Sequence, residues 1–252
     1  MRFGVELEFT GMKRAKCVQL LETFFNTKAV ECTAKTEDKY TYHKIKDMYG
    51  DLWVVKRDRS IVPMLEDNET LYYNTADETL WEYMVELVSP ILTEKTLPLL
   101  YEIAEMLKKA GGVVNSSCGM HVHIDALSLD ETVDLFSRFI ENQDEILKEF
   151  AVESGRKYKY CKPYKLPTNI VPTFNNFDEF FSWLWQNFRD LEVDRDTAIE
   201  SSKSLRYFTL NFYSLLKTHT LEYRFFNGTL NVDEIARNIN WVTDFTHNNL
   251  NK

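Results

Sequence analysis

Three short segments of this chain alternate apolar with ionisable side chains, and that alternation limits the fold more than any other feature. In Phe3-Gly-Val-Glu-Leu-Glu-Phe9, Phe3, Val5, Leu7 and Phe9 point one way, and Glu6 and Glu8 the other. In Gly119-Met-His-Val-His-Ile-Asp125, Met120, Val122 and Ile124 oppose His121, His123 and Asp125. In Thr220-Leu-Glu-Tyr-Arg-Phe-Phe226, Glu222 and Arg224 share a side. Residues two apart on a strand lie on one face, so a period of two marks a strand. A fourth segment, Met84-Val-Glu-Leu-Val88, sets Glu86 singly among apolar neighbours. Strands and helices intersperse without regular β-α-β alternation. With one apolar and one charged face per strand, this suggests an α+β fold: an antiparallel sheet with helices on one side.

Helices are expected over 13–25, 93–109, 130–150, 177–189 and 233–248. In the first, Leu20, Leu21, Phe24 and Phe25 form the apolar stripe. Thr93 is a candidate N-cap for the second, and Gly111-Gly112 ends it. Further strands are expected within 39–62, most clearly Leu52-Trp-Val-Val55, and over 80–88, 206–212 and 220–226. The strand over 80–88 stops at Ser89-Pro90, because proline cannot donate to a ladder. Gly228 reads as a turn, and the acidic stretch 66–78 as a loop. No repeat and no composition shift divides the 252 residues, which predicts one domain over 1–252.

Acidic residues outnumber basic ones, 39 to 30, which disfavours a nucleic-acid partner held by a basic surface. The late aromatics Phe180, Phe181, Trp183, Trp185 and Phe188 read as core and groove packing. Cys17, Cys32, Cys118 and Cys161 include no Cys-x-x-Cys pair, so a reducing, cytoplasmic setting is expected. No export signal is visible, and no run approaches the roughly 18–20 apolar residues that span a bilayer. Neither glycine-rich phosphate-loop signature occurs, and there is no Gly-x-Ser-x-Gly elbow. Any bound nucleotide would be held through metals and arginines.

Read singly, each polar segment has a plain structural alternative. Glu6 and Glu8 could line a solvated edge strand, and Glu222–Arg224 could be a surface salt bridge. Asp58, in Lys56-Arg-Asp-Arg-Ser-Ile61, could be a turn aspartate, or it could meet an amine or a metal shell. Lys56 and Arg57 could clamp a phosphate or carboxylate, or simply be solvated. Taken together on one sheet, Glu6, Glu8, Glu86 and Glu222 beside two histidines would repel strongly, and a divalent cation relieves that repulsion. Oxygen-rich ligation favours Mg2+ or Mn2+ over zinc, and the histidines lean toward Mn2+. Arg224 would suit a nucleotide phosphate.

These segments, with Asp58-Arg-Ser-Ile61, Arg206-Tyr207, Asn211 and Leu221-Glu-Tyr-Arg-Phe-Phe-Asn-Gly-Thr229, occur in the order seen in the amidoligase family. The chain therefore resembles the glutamine synthetase-like carboxylate–amine ligases. The resemblance implies a curved, mainly antiparallel sheet with helices on the convex side and two or three Mg2+ or Mn2+ ions on the concave face. It implies metal ligation by Glu6, Glu8, Glu86, His121 and Glu222. It implies phosphate contacts from His123, Arg206 and Arg224, and it places Asp58 and Ser60 near the substrate; Lys56 is a further candidate for the phosphates, and Asp58 is the candidate to take the amine proton. Arg59 stands where the family has glycine, so the loop there must avoid a positive φ. Residues 150–200 match no family element and read as a variable lid or acceptor region.

The activity implied is ATP-dependent amide or isopeptide formation through an acyl phosphate. Its substrates would be a small-molecule or peptide carboxylate and an amine. Two other readings stand beside it: a metal-dependent hydrolase on the same residues, and a non-catalytic descendant that binds a peptide.

Overall fold

The computed structural model describes residues 2–33, 40–65, 77–153, 156, 160–166, 171–188 and 203–247. The chain forms two compact units, each built from two stretches of sequence. Unit 1 comprises Met1–Val122 with Asn227–Asn240, and unit 2 comprises His123–Phe226 with Trp241–Lys252. The architecture is α+β with a large antiparallel open sheet, as the strand patterning predicts.

Unit 1 contains strands β1 (Phe3–Phe9), β2 (Val30–Thr33), β3 (Thr41–Lys46), β4 (Leu52–Lys56), β5 (Val85–Val88) and the first part of β6 (Gly119–Asp125). They are ordered β2-β3-β4-β5-β1-β6. The β2–β3, β3–β4, β4–β5 and β1–β5 pairs are antiparallel. Pairing places residues in rows across the strands. Val55, Leu87 and Leu7 make an apolar row, and each is at most 1% exposed. The next row, on the opposite face, is Lys56, Glu86 and Glu8. Helix α1 (Arg14–Phe25) packs on β3 and β4, with the Phe25 ring 5.9 Å from that of Trp53. Helix α2 (Leu97–Lys109) packs against α1 and buries Leu100, Ile103, Ala104 and Leu107. Burying each of the leucines and the isoleucine contributes roughly 1.5–3 kcal/mol.

Unit 2 is helical and aromatic. It holds α3 (Leu129–Glu149), α4 (Phe177–Phe188), the short α5 (Tyr213–Thr218), β7 (Leu210–Asn211) and most of β8 (Thr220–Asn227), which pairs antiparallel with β7. Phe136 lies at its centre, edge-on to Phe180, Phe188, Phe212 and Tyr164. Phe180 and Phe188 of α4 therefore serve as core, as expected, while Phe181, Trp183 and Trp185 are only half-buried. Ser128 starts α3 with a capping box: its hydroxyl accepts from the Glu131 N–H, and the Glu131 carboxylate accepts from the Ser128 N–H. Helix α6 (Val232–Thr246) runs from unit 1 into unit 2.

Several expectations need correction. The strand expected over 80–88 is only Val85–Val88, because Glu78–Tyr83 is a 3-10 turn. Asp77 opens that turn by accepting from the Thr79 N–H at 2.9 Å, and the Arg14 guanidinium donates to the Trp81 and Met84 carbonyls at its end. The strand expected over 206–212 shrinks to Leu210–Asn211, preceded by a 3-10 turn over Lys203–Tyr207. The backbone just before it bonds instead to Lys162, which donates to Tyr207 at 2.7 Å and accepts from Thr209 at 3.0 Å. Helix α2 begins at Leu97, with Thr96 rather than Thr93 at its N-cap, and Pro98 sits in the first turn where its missing N–H costs nothing. Gly228 serves close approach more than turning. A Cβ there would come within 2.6 Å of the Cys118 Cβ, while its N–H donates to the Cys118 carbonyl at 2.9 Å. The edge strand β2, which lies outside the expected strands, is short and mostly exposed, so it shows no apolar alternation. Most of the loop expected over 66–78 lies outside the described residues.

Candidate functional site

The alternation of β1 buries Phe3, Val5, Leu7 and Phe9 and turns Glu6 and Glu8 to the other face. Glu8 is nonetheless only 2% exposed, as are Glu86 and His121. Glu8 and Glu86 are directly opposite cross-strand neighbours. Like charges in that relation destabilise a sheet unless something neutralises them. His121 sits between carboxylates, its Nδ1 3.0 Å from Glu6 Oε2 and its Nε2 3.6 Å from Glu8 Oε1. The second oxygen of Glu8 accepts from the Gly119 N–H at 2.6 Å. That bond fixes the carboxylate against the start of β6, a tie that residue spacing did not reveal.

Lys56 closes the row. Its ammonium is 3.0 Å from Glu86 Oε1 and 3.9 Å from Glu6 Oε1. Burial pushes the Glu86 carboxyl well above the usual carboxylate range; Lys56 opposes that, and Glu6, Asp58 and Glu8 add to it. Burial acts to lower the Lys56 pKa, but Glu86 and Glu6 outweigh it and the net shift is upward. Asp58 is thus within electrostatic reach of the carboxylate face. It also caps its own turn, with Oδ1 accepting from the Ser60 N–H at 2.6 Å. Positive φ occurs, among described non-glycine residues, at Asn26, Ala151 and His219 and not at Arg59, so the loop accommodates arginine as expected. The neighbouring Arg57 guanidinium stacks 4.2 Å from the Trp81 ring and 4.9 Å from that of Tyr40.

Unit 2 holds the remaining residues. Glu222 is 3% exposed and ion-paired with Arg224, two positions along β8. Its other oxygen accepts from the Asn211 side-chain amide, across the β7–β8 pair. The role of Asn211 as a carboxylate holder appears only once β7 and β8 are in register. His123 Nε2 lies 3.9 Å from Glu222, and its Nδ1 is 3.0 Å from the Thr220 hydroxyl. Arg224 is 8% exposed. Its Nε–H points at the Tyr160 carbonyl at 3.5 Å, and its own carbonyl accepts from Arg156 at 3.0 Å. Arg206 stands apart from this group, exposed, with its guanidinium 5.1 Å from the Tyr207 ring.

The structure therefore gathers Glu6, Glu8, Glu86, His121, Lys56 and Asp58 in unit 1, and Glu222, Arg224 and His123 in unit 2. The unit 1 donors are hard carboxylate oxygens and an imidazole, and buried acids outnumber the one lysine among them. That donor set fits a divalent cation of the Mg2+ or Mn2+ type.

A family model described as "Putative amidoligase enzyme" matches residues 1–246. Comparison with curated proteins returns no match. Among the described residues, no helix is long and apolar enough to cross a membrane.

Proposed function

The chain belongs to the putative amidoligase family, and from that premise we propose that it is an ATP-dependent carboxylate–amine ligase with a glutamine synthetase-like fold. The observation that carries this reading is the row in which Glu86 and Glu8, both 2% exposed, face each other across two strands. An acidic pair so buried is costly without a cation and purposeful with one. The proposed metal ligands are Glu6, Glu8, Glu86 and His121 in unit 1, and Glu222 in unit 2. Bound Mg2+ or Mn2+ would supply charge neutralisation to phosphoryl transfer.

The proposed chemistry has two steps. A carboxylate oxygen of the first substrate attacks the γ-phosphorus of ATP, and the β–γ bridging bond breaks to release ADP. The amine nitrogen then attacks the acyl carbon, inorganic phosphate leaves, and the nitrogen sheds a proton. Arg224 and His123 suit contacts to phosphoryl oxygens, because a guanidinium and an imidazole present N–H donors to developing negative charge. Arg206, exposed on its turn, is proposed as a further phosphate contact. Asp58, beside the carboxylate face, is proposed to take the amine proton. The substrates are proposed to be a small-molecule or peptide carboxylate and an amine. Four free thiols suit a reducing compartment.

The test is ADP release with Mg2+ or Mn2+ against a panel of carboxylates and amines. Amine-dependent release should fall about 100-fold or more in Glu8→Gln, a loss of about 2.7 kcal/mol of transition-state stabilisation. Glutamine can still accept the Gly119 hydrogen bond, so that variant isolates the charge. ATP-independent turnover of an amide by the same protein would sink the ligase reading in favour of a hydrolase.

A further inference from the structure

The lysine in the carboxylate row has no place in the chemistry above. Lys56 ends β4, where alternation turns Trp53 and Val55 into the core and Val54 and Lys56 to the opposite face. Register then sets Lys56 directly opposite Glu86, which is itself directly opposite Glu8. The ammonium contacts two of the proposed metal ligands at once, Glu86 at 3.0 Å and Glu6 at 3.9 Å. We propose that Lys56 is a built-in counter-ion for this face, occupying it in the absence of metal and leaving when a divalent ion binds. The inference rests on the metal reading of unit 1.

The physical case is a comparison of two cations. An ammonium carries one charge and three donors, so it relieves part of the repulsion between Glu86, Glu8 and Glu6. A divalent ion carries twice the charge and gathers about six oxygens at about 2.1 Å, so it relieves more. The lysine has the advantage of its tether, since it need not be recruited from solution. Its flexible four-carbon stem also lets the head swing away without moving the backbone. A metal ion must therefore displace Lys56 before it can use Glu86. The lysine lowers the apparent metal affinity and keeps the metal-free face from repelling itself apart. A phosphate clamp needs a cation that points at the ligand; in this structure the ammonium points at the ligands of the proposed metal.

Mn2+ binding to the whole protein, followed by calorimetry or by the loss of free-ion paramagnetic resonance signal, tests this without any turnover. Lys56→Met should bind Mn2+ about five- to tenfold more tightly than the wild type, with Lys56→Arg close to the wild type. In chelator, Lys56→Met should melt below the wild type, and the gap should close at saturating Mn2+. Equal or weaker Mn2+ binding by Lys56→Met, with the wild type binding normally, overturns the counter-ion role alone. Absence of Mn2+ binding in both overturns the metal reading and this inference with it. Should Lys56→Met fail to fold, the wild type answers by itself. Lys56 acetylation by a water-soluble ester, read by mass spectrometry, should quicken when Mn2+ is added. An unchanged or slower rate refutes displacement.

Discussion

The carboxylate face of unit 1 and the Glu222 group of unit 2 hold buried acid in opposite ways. On the first face Lys56 pairs with Glu86 and Glu6, His121 lies between Glu6 and Glu8, and burial with repulsion from Glu6, Asp58 and Glu8 raises the Glu86 pKa. In the second, Glu222 has an arginine on its own strand and an amide from the neighbouring strand. Among the groups named, the first face carries more acids than bases, while Glu222 is matched by Arg224. A surplus calls for a cation from outside, whereas Glu222 keeps its own arginine whether or not it also lends an oxygen to a cation. Both contain buried glutamates with basic partners, and only the local charge count separates them.

The comparison breaks or sharpens most strongly on stability. Glu222→Ala leaves the Arg224 charge buried after its carboxylate is gone, which should cost about 3–5 kcal/mol. Glu86→Gln removes one partner of Lys56 but also removes a carboxylate that repels Glu8, Glu6 and Asp58, so its cost should be well below that of Glu222→Ala. Urea unfolding in chelator measures both. Equal losses would mean that the unit 1 face is as well matched as the Glu222 pair.

A smaller effect comes from metal. At 100 times its dissociation constant, Mn2+ should stabilise the protein by about 2.7 kcal/mol. For a chain of this size that is a rise of about 5–11 °C in melting temperature, reversed by chelator. Glu8→Gln should lose most of the rise. A rise that survives in Glu8→Gln would move the ion away from the surplus face.

How much of this could be read from sequence follows from how local each signal is. Alternation is written into consecutive residues, so β1, β6 and β8 and the faces of Glu6, His121, Glu222 and Arg224 were legible. The five longer helices were legible from apolar periodicity and end signals, whereas the short Tyr213–Thr218 helix, only six residues long, has too few turns to show a stripe. The failures trace to distant partners. Glu78–Tyr83 turns rather than extends because Arg14, far away in sequence, binds its carbonyls. The segment before Leu210 is drawn to Lys162. Lys56 could be read as a phosphate clamp or a solvated charge because nothing local shows that β4 lies beside β5 in a register that sets it against Glu86. Charge type is a property of sequence, whereas charge balance at a point is a property of pairing.

The smallest effect concerns thiols and asks which unit opens first. Cys17 on α1 is fully buried, and burial alone pushes its pKa up to about 12. Cys118 and Cys161 are also buried, in units 1 and 2 respectively, while Cys32 on the edge strand β2 is partly exposed. Thiolate is the reactive form, so the raised pKa and lack of access both protect Cys17. In the native protein at pH 8, a disulfide reagent should therefore modify Cys32 fast, with no change in Mn2+ binding. Cys17, Cys118 and Cys161 should react only through opening of the structure. If metal holds the surplus face of unit 1 together, Mn2+ should slow labelling of Cys17 and Cys118 more than that of Cys161. Equal slowing of all three would mean that the ion stabilises both units alike, and the contrast between a surplus face and a matched pair would lose its energetic content.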